Sequence, residues 1–148
     1  MLQIGIAAAG AVGFALLFGV RGQKLLWIAF GGAVGFGAYR FLLWMGKGLF
    51  AALLFATLLT ALFSEALARL KKAPVLLFLV PMLIPLIPGG DLYYAMQSFV
   101  RGEGAAFGAR VQLVLSEAGA IALGILCAAS GVNVFQQILR RTKRRSAL

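Results

Sequence analysis

Polar residues interrupt this chain only at long intervals, and the apolar stretches between them have the lengths of helices rather than strands. A helix that crosses a bilayer needs about 20 apolar residues, and five segments approach that measure: 2–20, 25–40, 48–67, 74–88 and 111–131. The second can continue through FLLWM, and the fourth is short and interrupted by proline. Between the fourth and fifth, residues 89–110 form a polar connection carrying a short helix from Leu92 to about Val100. The pattern predicts an all-α integral membrane protein: one domain over 1–148, a bundle of about five transmembrane helices, the fourth proline-broken.

Composition agrees. Of 148 residues, 62% are hydrophobic and the mean hydropathy is +0.98, above the roughly 45–50% apolar content of soluble domains. The net charge of +10 would suggest nucleic acid in a soluble protein. Here it follows from the enrichment of basic residues on the cytoplasmic side of membrane proteins. Arg21 and Lys24, then Arg69, Lys71 and Lys72, then Arg140, Arg141, Lys143, Arg144 and Arg145 fall on one side. Arg40, Lys47, Arg101 and Arg110 fall on the other, with Asp91 and Glu103. The expected orientation is N-terminus out and C-terminus in, with the basic tail 139–148 against anionic lipid. The run Leu2–Val20 has no basic residue before it and no cleavage signature after it, so it reads as a helix and not a signal peptide.

The chemistry the chain lacks is informative. With no histidine, one cysteine and four acids, it has no usual metal set, catalytic triad or Cys/His pair, and no cofactor or enzyme activity is expected. GEGAAF from Gly102 has Phe107 where a dinucleotide motif needs its third glycine. Cys127, inside an apolar run, reads as a buried small hydrophobe.

The stretch LVPMLIPLIPGGDLYY, Leu79 to Tyr94, is where the pattern breaks. Pro81, Pro85 and Pro88 each lack an N–H, so a helix through them leaves the carbonyls of Leu77, Pro81 and Ile84 without their usual donors. Such backbone is tolerated in a bilayer only where it is buried in protein or lines a wet cavity. Gly89 and Gly90 allow a turn, and Asp91 is a good N-cap for the helix that follows. That helix has Tyr93, Gln97 and Arg101 on one face, Tyr94 beside it, and its free N–H groups at the break. These residues form either part of a substrate path or an interfacial helix with tyrosines at headgroup level.

Two further features lie on helix faces. Gly31 and Gly35 have the spacing that lets helix backbones approach closely and are read as packing. Glu117 shares a face with Ala120, Gly124 and Gly131, so it looks into the bundle or at a partner. In lipid an ionised carboxylate costs several kcal/mol, about 3 on insertion scales. Glu117 is either a proton carrier or a static partner of Arg40 or Arg110, and Asp91 is the other candidate for proton coupling.

IPLIPGGDLYYAM from Ile84 to Met96, followed by AGAIALGIL from Ala118 to Leu126, resembles the small membrane subunit of the threonine/serine exporter family, a region similar to the C-terminal half of its single-chain members. The resemblance implies a secondary transporter of the bacterial inner membrane that exports threonine, serine or related small carboxylates using protons. It implies a larger multi-helix subunit as partner and carries over Pro85, Pro88, Gly89 and Tyr93 as the broken-helix element. Asp91 and Glu117 rest on the residue pattern alone. The alternatives are a dicarboxylate exporter subunit and a structural membrane protein that binds a partner without transport.

Overall fold

A computed structural model of the chain describes residues 2–145, with side chains through Ile138. The elements of the described residues are all helices, joined by short turns: α1 Leu2–Leu17, α2 Lys24–Trp44, α3 Leu49–Leu70, α4 Leu76–Leu83 with a 3₁₀ turn over Ile84–Leu86, α5 Gly89–Val100 and α6 Gly104–Arg145. α2, α3 and α6 as far as Ile138 are long and apolar enough to cross a membrane. α4 with its 3₁₀ turn and α5 reach that measure only as a pair bent by 56°, and α1 has 16 residues. All five apolar segments are thus helical, while three helices, or four spans with the bent pair, meet the spanning length.

Small residues set the arrangement. α1 and α2 run antiparallel, with a Cβ at Gly32 falling 2.8 Å from the Ala11 methyl and one at Gly37 falling 3.8 Å from Ile4. α2 and α3 are antiparallel too, since Gly35 abuts Thr60, Gly31 abuts Phe63, and Trp27 lies under Lys71. α3 and α6 run parallel. Gly124 meets Leu54 and Thr57, and further along both helices the Gln136 amide, its oxygen turned toward the guanidinium, accepts from Arg69 Nη1 at 2.8 Å. Lipid tails are as apolar as leucine, so helices in a membrane gain association energy from close packing, which side-chain-free positions permit.

α4 lies against α1, α2 and α3, where Phe78, Pro81 and Met82 are fully buried. Its lower part and the 3₁₀ turn join Leu83 and Leu86 to a core with Leu53, Ala56, Ala120 and Ala128, against which Phe36 and Tyr39 pack. α5 leaves this core and packs along α6, antiparallel to it: Tyr94 faces Arg110 and Phe99 faces Phe107. The turn between them closes on Gly102 in the left-handed region at φ 73°, with Glu103 N–H donating to Ser98 O at 3.0 Å. With Gly124 level with Thr57, the first turns of α3 lie level with about residue 116 of α6. The α5–α6 hairpin therefore projects roughly 18 Å past the α2–α3 turn at 1.5 Å per residue.

Several sequence expectations change. Residues 101–103 alone connect α5 to α6, and residues 104–110, read as polar connection, are the first turns of α6. The glycines and charges of GEGAAFGAR resemble a loop, but one face of that segment is held by α5 through Phe107 and Arg110. α6 also runs past Gly131, to Arg145. Cys127 is exposed and not buried, being on the side of α6 that no helix covers. The expected lipid contact of the tail 139–148 involves side chains outside the described residues.

Candidate functional site

The break is built from two local events. Pro81 sits inside α4, and Pro85 sits in the 3₁₀ turn. The chain then extends at Ile87 (φ −68°, ψ 132°), and α5 begins at Gly89 with Pro88 as its cap residue. The Ile84 carbonyl, expected to lack a donor, accepts from Ile87 N–H at 3.2 Å, because the 3₁₀ pattern reaches one residue less than the α pattern lost to proline. Asp91 is not the N-cap. α5 starts two residues earlier, Asp91 lies in its first turn, and no side chain caps the helix. A carboxylate there still meets the positive end of the helix dipole.

The residues named from sequence separate into distinct settings. Pro81 is core. Pro85 and Ile84 line a groove of about 340 Å³ between α1 and α2, completed by Gln3, Ile6, Ala7, Gly10 and Phe36. Gly89 and Gly90 are exposed, with open space where a Cβ would stand. Tyr93, Gln97 and Arg101 do share a face, and with Met96 and Val100 they line a second groove of about 300 Å³ on the outside of the hairpin. Tyr94 turns the other way, its ring 5.1 Å under the Arg110 guanidinium and edge-on to Tyr93 at 5.5 Å.

Glu117 occupies the point where these elements meet. It is 3% exposed, on the buried face of α6 with Ala120 and Gly124. The expected fourth member, Gly131, is exposed; Ala128 takes that place, three turns on from Glu117, and is buried at 1%. Glu117 Oε2 makes no hydrogen bond. Neither Arg40 nor Arg110 pairs with it; among the described residues the ion pair is Glu65–Arg69, at 3.4 Å. Asp91 lies within electrostatic reach of Glu117, and both lie within that of Tyr39. Tyr39 in turn meets Phe36 of the proline groove, ring centroids 5.9 Å apart and planes tilted by 51°. A buried carboxylate with a free oxygen, next to the start of a broken helix, can take up a proton or pair with a cationic group.

Sequence reasoning missed a second polar feature. Thr57, Thr60 and Ser64 recur every three to four residues on α3 and are all buried, at 0%, 1% and 0% exposure. Thr60 and Ser64 donate to carbonyls one turn back, at 2.8 and 2.9 Å, and Ser64 Oγ also lies 3.4 Å from Met82 Sδ. Thr57 Oγ1 is unpaired where α3 crosses Gly124. The signal was present in TLLTALFS as three hydroxyls at helical spacing. Among the described residues no group of His, Cys, Asp or Glu could hold a metal.

Apolar helices of spanning length, packed through glycine and built around a proline break with a buried carboxylate, define an integral membrane protein. The chain belongs to the threonine/serine exporter family: the model described as Threonine/Serine exporter, ThrE, matches residues 3–130. The family is one of transporters. No solved structure matches the chain.

Proposed function

We propose that the chain is the small subunit of a two-part secondary transporter that exports threonine, serine or a similar small carboxylate, driven by protons, in the bacterial inner membrane. Glu117 carries the reading: a carboxyl group enclosed by protein, one oxygen unpaired, at the junction of α6 with the proline break. It supplies a proton site within electrostatic reach of Asp91. The start of α5, uncapped and beside the glycines, supplies N–H groups for a substrate carboxylate. Pro81, Pro85, Pro88, Gly89, Gly90, Tyr93, Tyr94 and Gln97 line or hold the path.

In this reading the bent α4–α5 pair and α1 count as crossings, which makes five, with the N-terminus outside and the basic end inside. The hairpin and the outer groove at Tyr93 and Gln97 are where the larger subunit closes the path.

The test is efflux of labelled threonine and serine from cells producing this chain, the candidate larger subunit, or both, with and without a protonophore. Protonophore-sensitive efflux that needs both chains is expected. Absence of efflux when both are inserted and associated would remove the substrate assignment. With both chains present, Asp91→Asn is expected to abolish or uncouple efflux without affecting membrane insertion, and normal proton-driven efflux in that variant would take Asp91 out of the mechanism.

A further inference from the structure

At the end of the bundle opposite the hairpin, Gln23, Leu26, Trp27 and Phe30 line a groove of about 410 Å³ on the outer face of α2. Their spacing of three and four residues makes the groove a strip along one side of the helix. Lys71, which ends α3, places its Nζ 5.7 Å from the centroid of the Trp27 ring. Arg21 and Lys24 flank the start of α2, and Lys72 follows Lys71. No side chain caps the first turn of α2, so the positive end of that helix dipole, beside Gln23, lies at the same mouth. Three of the chain's four acids, Asp91, Glu103 and Glu117, are on the hairpin side, and the fourth, Glu65, is engaged by Arg69.

A cationic, uncapped mouth continuing into an apolar, aromatic strip matches a molecule with an anionic head and a hydrocarbon tail. We infer that this groove is a binding site for one anionic glycerophospholipid. Its phosphate is held between Lys71 and the first turn of α2, and an acyl chain lies along Leu26, Trp27 and Phe30. This is distinct from diffuse attraction of the basic end to a charged leaflet, because it singles out Lys71, whose ammonium sits over the ring of the groove residue Trp27, from its neighbour Lys72. It holds whether or not the chain carries threonine.

The chain has two tryptophans, so Trp44→Phe leaves Trp27 as the only indole. The full chain is reconstituted in phosphatidylcholine nanodiscs, and Trp27 emission is titrated with phosphatidylglycerol or phosphatidylcholine carrying brominated acyl chains. The expected result is half-quenching at about a fivefold lower mole fraction of the anionic lipid, the attraction of roughly one lysine. Lys71→Gln should erase that preference, Lys71→Arg should keep it, and Lys72→Gln, which removes the same surface charge, should keep it too. The converse probe, Trp44 alone after Trp27→Phe, should show no preference. Equal quenching by both lipids, or equal losses in Lys71→Gln and Lys72→Gln, would overturn the site in favour of diffuse attraction. Relief of quenching by water-soluble glycerol phosphate would overturn the lipid as occupant and make a free phosphate the ligand.

Discussion

Gly31, Gly35 and Gly124 and the glycines of the break are the same residue put to opposite uses. At Gly31 and Gly35 an added Cβ would collide with Met82 and Thr60, and at Gly124 it would fall 2.9 Å from the Leu54 carbonyl oxygen. At Gly89 and Gly90 it would meet nothing within 4 Å. The first set is a contact surface made of backbone, and the second is a stretch where the chain changes direction with room around it. A membrane bundle needs the former because helices in lipid associate through closeness, whereas the latter leaves space beside it for water, solute, lipid or another chain.

Substitutions can break that contrast. Gly35→Leu should have the largest effect: it drives a side chain into Thr60, and the expected outcome is no monodisperse protein on size exclusion after extraction in mild detergent. Glu117→Gln keeps the size of a residue at the meeting point of the two regions and removes its charge. It should cut proton-driven efflux at least about tenfold while leaving thermal unfolding of the extracted chain within a few degrees; unchanged efflux would separate the buried carboxyl from transport. Gly124→Ala presses a methyl against backbone that cannot rotate away, and about 1–3 kcal/mol of destabilisation is expected by thermal unfolding. Gly90→Ala should change stability by no more than about 0.5–1 kcal/mol, in the stabilising direction, since Ala suits a helical position better than Gly. A loss there comparable to Gly124→Ala would show that the break is packed and not open.

Accessibility sharpens the same comparison. In a Cys127→Ser background, cysteines at Ile87 and Gly90, both exposed, should react with a water-soluble maleimide faster than one at the half-buried Ile84. If none of the three reacts, the break faces lipid or protein alone, and a structural role for the chain gains over transport.

How much of this was legible in the sequence depended on how local the determinant was. The proline positions fixed the break because each removes a donor at a known offset, and Gly31, Gly35, Ala120 and Gly124 were assigned to packing faces from periodicity. Non-local determinants were harder to read. Whether residues 104–110 are loop or helix is decided by α5 lying alongside, and Asp91 lost its capping role because Gly89 and Gly90, which suit a turn equally well, were taken into the helix. Ala128 displaced Gly131 because the packed stripe on α6 follows its neighbour and not the smallest side chain available. The hydroxyls of α3 escaped notice since two of the three are satisfied by their own helix and leave no unmatched partner elsewhere to point to them.

α6 has 42 residues and no proline, a length of about 63 Å at 1.5 Å per residue, twice the roughly 30 Å hydrocarbon core of a bilayer. Such a helix acts as a beam: α5 lies along its first turns and α3 along its middle, so it joins the hairpin at one end to the α3 end of the bundle at the other. Tilting it about the Gly124 crossing, where its backbone lies against Leu54 and Thr57, swings the two ends in opposite directions. A force applied at one membrane surface would thus arrive as displacement at the other, with Glu117 riding between the fulcrum and the hairpin.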